Sequence, residues 1–583
     1  MDRRQFLNAI AVSGVGTLLP GCALLRCPPR AICPNDPKFS RLAAELTIDA
    51  HAHVFNGSDL QIRQFINRVV INQDSTLGQI AKPLSSFLQA LAWTGAPDGR
   101  SELKKLEELE DELAECSVPD FEKNLKELGQ TQYEVAKAAV VKAFMEDKVT
   151  QTRLKRLRSS KVPFSALSIE DASSLSLERE IGRLPDSYET FKVGYPKKID
   201  SGQIVTLSSD RSVAGFLRFV IQHFQYRYRN VYDYLSTYNQ ENGRVVDLLV
   251  AHCVDYDWPL NEGRETDTPL IKQVEVMERI AVLTRGRVHA FVPFDPMREV
   301  AFRRGKSEWS SLRFVQDAVQ ERGCLGVKMY PPMGFAPLGN AAIEAKSKGA
   351  FWRQEWLPGW MSEAGFGQQL DESLSDLYEW CESNGVPLMA HTNVSNGPCK
   401  EFQEMAKAKY WDNVLREYKN LRVSFGHFGR TDVEDQPYNA TEEYIKLMQA
   451  PGESGAQAYA DAGYFSGVLG QTAKVKNRLS TILKATLGKR EASLSNRLMY
   501  GTDWEMTLSE SGVDQYLDRF VSVFEEIDSR GIDKAPIAPR FFGLNAVAWL
   551  GLRKADPARM RLQRFYDKFS VETPDWMLKI DRM

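Results

Sequence analysis

Short apolar runs alternate with helical patterns in the second half of the chain. After residue 240 these runs are separated by roughly 15 to 25 residues of helical spacing, the order of successive βα units. Helices predicted at 371–384 and 402–419 have apolar positions spaced to cover a parallel sheet. The predicted strands are 248–252, 289–293, 326–330, 386–391, 422–427, a weak one at 458–464, and 498–503.

One further apolar run, at 47–56, brings the number of predicted strands to eight, which indicates an α/β fold of the (β/α)8 TIM-barrel type. The interval that follows it has no comparable strand pattern, and 102–109 and 133–150 are strongly helical. We therefore predict a large helical insertion after the first strand. The predicted organisation is a signal at 1–22, a tether at 23–45, the first strand at 46–60, the insertion at 61–240, the rest of the barrel at 241–553 and a C-terminal extension at 554–583.

Composition narrows the class of protein. The 583 residues are 43% hydrophobic and 26% charged, which is typical of a globular protein with a substantial core. The net charge of −3 provides no basic field for a nucleic acid. We expect a small-molecule substrate and no nucleic-acid partner.

The N-terminus has the features of an export signal. Arg3 and Arg4 precede an apolar stretch at 9–20 that is too short to span a bilayer. The pattern Arg-Arg-x-Phe-Leu resembles the twin-arginine signal, which directs folded proteins out of the bacterial cytoplasm; the alternative is an ordinary secretory signal with a chance arginine pair. We expect an exported protein, periplasmic or anchored to the envelope of a bacterium.

Cys22 follows Leu19-Pro20-Gly21, which resembles a lipobox, although Pro20 is unusual there. Lipidation of Cys22 would anchor the protein, and simple cleavage nearby is the alternative. Any contact with the membrane is expected only through this signal or lipid.

The first strand ends in a His-x-His pair. Residues two apart on a strand point the same way, so His51 and His53 can present two imidazoles to one cation such as zinc. Two histidines on a solvated strand face are the alternative.

Three other strands also end in residues of the metal-binding type. His391, His427 and Asp503 end the predicted strands 386–391, 422–427 and 498–503, and the carboxyl ends of barrel strands converge on one mouth. Four of the seven histidines therefore lie at strand ends.

This order of residues resembles the amidohydrolase superfamily of metal-dependent barrels, and more narrowly the amidohydrolase-related branch, which contains hydrolases and decarboxylases. Gly501-Thr502-Asp503-Trp504 and the run 541–546 are similar to closing motifs of that branch. The resemblance covers 47–56 and about 245 to 550, and leaves the signal and the insertion unexplained.

The resemblance implies that His51, His53, His391 and Asp503 bind a divalent metal, most often zinc, with His427 beside it. One ion is favoured. Two are possible if Lys328 is carboxylated and bridges them, as in some superfamily members; a structural lysine in an ion pair is the preferred alternative.

The implied reaction is hydrolysis of a C–N or C–O bond in an amide, lactone or ester by metal-activated water. Asp503 would take the proton of the water and pass it to the leaving group, and His427 would polarise the carbonyl or act as a second base. A metal-dependent decarboxylase of an aromatic or unsaturated acid is one alternative, and a non-catalytic envelope binding protein is another.

Phe55, Tyr330 and Trp504 border the predicted ligands and could line the substrate pocket or pack in the core. His252 is the first choice for an additional site residue. We predict that the insertion roofs the pocket.

Overall fold

A computed structural model describes most of the chain from residue 45 onward. The predicted signal, Cys22 and all of the predicted tether except Glu45 lie outside the described residues. The described ranges are 45–70, 76–92, 95–114, 118–160, 166–192, 209–238, 244–393, 397–429, 440–449, 457–487 and 493–583.

Eight parallel strands form one sheet in the order of the sequence. Each strand pairs with the next one in parallel register. The predicted TIM barrel is confirmed. The strands are β1 Ile48–Ala52, β2 Leu248–His252, β3 Val288–Pro293, β4 Gly326–Met329, β5 Leu388–His391, β6 Val423–Gly426, β7 Ala458–Asp461 and β8 Leu498–Met499.

The barrel closes where β8 meets β1. The backbone N–H of Ala50 donates to the carbonyl of Tyr500 at 3.0 Å, and the N–H of Asp503 donates to the carbonyl of His51 at 2.7 Å. Because β8 has only two residues, this contact is made mostly by the segment that follows the strand. The site residues at 501–503 are therefore fixed by β1 itself.

Helices cover the outside of the sheet, and a single apolar cluster fills the space between them. Outward side chains of the strands, such as Val292, Val327 and Phe425, belong to this cluster. The helices after β2 are Asp257–Asn261, Leu270–Leu283, Pro296–Arg303, Ser311–Glu321, Asn340–Ser347, Phe366–Asn384, Lys400–Gln403, Asp412–Glu417, Thr441–Met448, Gly467–Gly470, Thr472–Thr486, Tyr516–Ser529, Asn545–Leu550, Pro557–Phe569 and Asp575–Asp581.

The last helices close the amino end of the barrel. Trp549 packs against Phe291 inside the barrel, with ring centroids 5.2 Å apart. Trp576 donates to the carbonyl of Gly286 at 2.8 Å, and Lys579 reaches the buried Asp247 at 2.7 Å. Residues after 553 are therefore part of the barrel core rather than an appendage.

The elements that the structure describes between β1 and β2 are all helices, and this region has a hydrophobic core of its own. Buried Arg227 connects it to the barrel side through Asp59, at 3.1 Å, and also contacts Glu102. Its helices are Ile62–Arg68, Thr76–Ala81, Ser85–Leu91, Gly99–Ala114, Val118–Glu146, Lys148–Ser159, Ile169–Gly182, Tyr188–Lys192, Ser209–Gln222 and Arg227–Thr237.

Two predicted helices differ from the observed ones. The helix predicted at 133–150 is interrupted at Asp147, whose side chain caps the next helix by accepting from the N–H of Val149. The helix predicted at 402–419 is broken into short turns because Lys407 is extended and ends the turn before it. Within the described ranges, we find no helix that combines the length and apolarity needed to cross a bilayer.

We predict that Trp576→Ala destabilises the whole barrel. Trp576 is 1% exposed, and truncating a buried tryptophan costs about 3–5 kcal/mol. Denaturant unfolding should show this loss, while the control Met583→Ala, at a 67% exposed position, should unfold like the parent protein. An unchanged midpoint for Trp576→Ala would show that the terminal helix is not docked.

Candidate metal centre

Two imidazoles, from His51 in β1 and from His53 just after it, point into the mouth of the barrel. His51 is fully buried and His53 is 6% exposed. The Nδ1 of His51 donates to Asp461 Oδ1 at 2.8 Å, and the Nδ1 of His53 donates to the carbonyl of His252 at 2.8 Å. Because each Nδ1 carries the proton, each Nε2 has a free lone pair.

Both lone pairs meet the carboxylate of Asp503. The Nε2 atoms of His51 and His53 lie 3.5 and 3.4 Å from Asp503 Oδ1. That oxygen is buried and receives no hydrogen bond in the described structure. Three acceptor atoms facing one another repel each other unless a proton or a cation lies between them, and a divalent cation would turn this repulsion into coordination. The donor set therefore fits a divalent metal.

Burial favours the neutral imidazoles that a metal requires. It holds the pKa of His51, His53 and His391 well below the ordinary value for histidine, and the nearby Lys328 acts in the same direction. Burial also raises the pKa of Asp503, while Lys328 opposes this shift.

His427 follows β6 rather than ending it. It adopts a positive φ of 65° in a tight turn, and its Nδ1 donates to the carbonyl of Gly463 at 2.9 Å. One ligand atom from each of His427, His51 and Asp503 lies within 4.8 Å of the others. The structure thus brings His427, predicted to lie beside the metal, into the closest group of possible ligands.

His391 ends β5 as predicted and lies against His427. Its Nδ1 is 3.2 Å from Nε2 of His427, and its ring stacks on Tyr330 with centroids 4.2 Å apart. The lone pair on Nε2 of His427 can accept a hydrogen bond from the Nδ1–H of His391 or bind a cation, but it cannot do both. If Nε2 of His427 accepts that hydrogen bond, Nε2 of His391 has a lone pair available for the metal. His391 is then the ligand, which is the assignment implied by the resemblance.

Lys328 on β4 is buried beside this group. Its Nζ lies 3.4 Å from Nε2 of His51 and 2.9 Å from the sulfur of Met389. Burial lowers the pKa of Lys328 to about 8, against the pull of Asp461 and Asp503. No carboxylate of the described chain lies within ion-pair distance of Nζ, so the structure does not show the ion pair that we preferred for this lysine.

Sequence reasoning missed Asp461, the last residue of β7. Its Oδ1 accepts from His51 Nδ1 and from the backbone N–H groups of His427 and Gly463, at 3.2 and 3.0 Å for the latter two. A single carboxylate therefore orients two of the possible ligands. Its position at the end of the weak predicted strand 458–464 was the available signal.

The expected additional residue, His252, does border the centre. Its carbonyl holds His53, and its Nε2 contacts the carbonyl of Ala50 at 2.9 Å. It supports β1 rather than facing Asp503.

The three predicted pocket aromatics have different surroundings. Phe55 is half-buried against the rings of His53 and His223, with centroids 5.7 and 5.1 Å away. Tyr330 is 8% exposed beside His391. Trp504 instead packs edge-on against Tyr234 and Tyr238 in the core below the insertion.

The insertion reaches the mouth through His223. Its Nδ1 donates to the carbonyl of Phe219 at 2.6 Å, so its Nε2 is an acceptor that faces the carboxyl of Glu505 at 3.3 Å. Burial lowers the pKa of His223 to about 4 and raises that of Glu505. A single proton shared by this pair would satisfy both groups.

A comparison with protein families supports the family resemblance drawn from the sequence. The family model described as Amidohydrolase matches residues 315–552. The predicted resemblance is thus confirmed for this part of the chain, which contains Lys328, His391, His427 and Asp503. Among curated proteins, none matches the sequence.

Solved structures are similar to about half of the chain. An uncharacterized TIM-barrel protein from Bordetella bronchiseptica is 14% identical, with a TM-score of 0.32 over 55% of this chain and 82% of that one. An amidohydrolase from Burkholderia multivorans with bound HEPES is 11% identical, with a TM-score of 0.30 over 52% and 83%. A 2,6-dihydroxybenzoate decarboxylase in complex with 2,6-dihydroxybenzoate is 13% identical, with a TM-score of 0.28 over 48% and 76%. These values do not distinguish hydrolysis from decarboxylation.

We predict that Asp461→Asn weakens metal binding. Removing the charge that orients His51 should lower the affinity for zinc by about 10- to 100-fold, the usual effect of losing a partner behind a ligand. Competition with a zinc indicator measures this affinity. Ser424→Ala is the matched control, because it removes only the 3.2 Å hydrogen bond to Asp461 Oδ2. Equal affinities for Asp461→Asn and the parent would contradict the role of Asp461.

Proposed function

We propose, from the amidohydrolase match of residues 315–552, that this protein is a metal-dependent hydrolase of small molecules, acting on a C–N or C–O bond of an amide, lactone or ester. The observation that carries this proposal is the convergence of His51, His53 and Asp503, whose Nε2 and Oδ1 atoms lie 3.4–3.5 Å apart and whose Oδ1 has no hydrogen-bond partner among the described residues. A divalent cation, most often zinc, would be held there by these residues together with His391 or His427.

When bound, the cation supplies Lewis acidity toward water and a substrate carbonyl. The side chains supply the proton transfers. Burial makes the Asp503 carboxylate a stronger base than an exposed aspartate, so it can accept a proton from water and pass it to the leaving group. His427, fixed by the carbonyl of Gly463 at Nδ1 and by the backbone N–H contact to Asp461, presents Nε2 as an acceptor and is placed to act as a second base.

A second candidate reaction is decarboxylation of an aromatic acid. The observation that favours it is an aromatic wall above His391, in which Tyr330 packs edge-on against Tyr256 at 5.3 Å and Tyr256 stacks on Phe65 at 5.8 Å. Such a wall suits a flat aromatic substrate. The wall is equally compatible with an aromatic amide or ester, so hydrolysis remains our first choice.

We predict that the zinc-loaded protein turns over at least one member of a panel of amides, lactones, esters and aromatic acids. The reactions are run in water labelled with oxygen-18. Hydrolysis should place one labelled oxygen in the product acid, whereas decarboxylation releases carbon dioxide and incorporates none. Asp503→Asn should lower the rate by about 100-fold or more, the contribution of a general acid–base group. His289→Gln is a control at the amino end of the barrel, where His289 contacts Tyr566 and the carbonyl of Gly323. A zinc-loaded, folded protein that binds panel members without turnover would instead support the binding-protein alternative.

We also propose that the chain is exported in a folded state and anchored through Cys22. Folded export allows the metal to be bound in the cytoplasm, before other metals compete for the site. This proposal rests on Arg3, Arg4 and the lipobox-like Leu19–Cys22 segment of the sequence.

We predict that the mature protein in bacterial membranes begins at a lipidated Cys22. Intact-mass measurement should give the mass of residues 22–583 plus a diacylglyceryl group on the sulfur and one acyl chain on the N-terminal amine. Cys22→Ser should move the protein from the membrane fraction to the soluble one. A mature protein that still contains Arg3 and Arg4 would contradict export by this signal.

A further inference from the structure

A cavity of about 680 Å³ lies at the amino end of the barrel, opposite the candidate metal centre. Arg422, Gln457 and Arg497, which line it, immediately precede β6, β7 and β8. Its volume is within the usual range for small-molecule sites. Nothing in the proposed hydrolase reaction uses this end of the barrel.

The lining of this cavity carries an excess of positive charge. Four arginines line it, Arg422, Arg497, Arg540 and Arg553, against two carboxylates, Glu382 and Asp556, and Arg540 is also paired with Asp533 at 2.8 Å. Both carboxylates already accept backbone N–H groups, from Asn420 at 2.7 Å and from Arg553 at 2.9 Å. This excess occurs in a protein whose net charge is −3.

Two guanidinium groups donate to neighbouring carbonyls at the end of one helix beside the cavity. Arg422 donates to the carbonyl of Gly385 at 2.5 Å, and Arg561 donates to the carbonyl of Asn384 at 2.8 Å, both at the end of helix Phe366–Asn384. A helix C-terminus offers only about half a negative charge. No salt bridge to Arg422 or Arg561 occurs among the described residues, and the carboxylate of Asp556 acts on Arg422 only from beyond ion-pair distance, so the charge of this pair is only partly compensated.

Burial, together with the neighbouring guanidinium of Arg422, lowers the pKa of Arg561 to about 10. The same repulsion would be relieved by an anion placed in the cavity. Arg497 provides a further fixed donor group there: it is 6% exposed and its guanidinium lies over the ring of Tyr459 at 4.7 Å.

We propose that this cavity is a second binding site, for a small soluble molecule that carries a phosphate group held by Arg422 and Arg497. Planar guanidinium groups bind phosphate oxygens through paired hydrogen bonds, which a lysine or a helix end cannot reproduce. The exposed Arg553 extends the positive surface toward solvent and would attract the anion.

The test is titration of the zinc-loaded full chain with inorganic phosphate, followed by calorimetry and phosphorus NMR. We expect saturable binding that weakens about tenfold in Arg422→Gln and in Arg497→Gln. Arg553→Gln, on the exposed rim, tests the charge without disturbing buried contacts and should weaken binding by about two- to threefold. The matched control is Arg244→Gln, since Arg244 also precedes β2 at the amino end but is paired with Glu45.

Several outcomes would overturn the proposal. One is binding that is unchanged in all three arginine variants but lost in His53→Ala, which would place the phosphate at the metal centre. Another is binding to phosphatidylglycerol vesicles with none to free phosphate, which would assign the surface to a membrane. No binding of phosphate by the parent protein would also reject it.

Discussion

The mouth of this barrel is organised around three buried acceptor atoms that face one another. Nε2 of His51, Nε2 of His53 and Oδ1 of Asp503 converge at 3.4–3.5 Å because both ring protons are committed to partners behind them. An ionised carboxylate without a partner costs several kcal/mol in such a place. The fold accepts this cost only if a cation or an added proton offsets it, and the chemistry of the donor set favours a cation.

The convergence depends on the seam between β1 and β8. Asp49 accepts hydrogen bonds from the backbone N–H and the hydroxyl of Thr502, at 3.1 and 2.6 Å, and from the hydroxyl of Tyr234 at 2.5 Å. Burial raises the pKa of Asp49 to about 6, and these donors hold it down. Because Tyr234 belongs to the insertion, the helical region helps to fix the strand that carries His51. The insertion therefore surrounds the site and also helps to position its residues.

Much of the site could be predicted because its residues follow strands. The alternation of β1 and the ends of β5 and β6 are local patterns, and they located His51, His53, His391 and His427. Asp503 was located as the end of the predicted strand 498–503, although it lies four residues beyond the last residue of β8 and adopts a positive φ of 55° that no apolar pattern encodes.

The remaining features depend on contacts between distant parts of the chain. Asp461 resembles an ordinary strand-ending aspartate until His51, 410 residues away, is placed beside it. Trp504 has the position of a pocket residue in the sequence, but Asn230, Tyr234 and Tyr238 enclose it. Local periodicity predicts which residues face inward, but not which distant side chain meets them.

The two ends of the barrel carry side chains of opposite charge, and the barrel interior separates them. Acidic Asp461 and Asp503 surround the mouth, whereas arginines collect at the amino end. Between them lies an apolar plug that includes Phe291, Met389 and Trp549. Charges in a water-poor interior interact over longer distances than at a surface, so the separation matters. A cation at the mouth would compensate the carboxylates, and an anion at the amino end would compensate the arginines. The two ions would not compete for the same ligands.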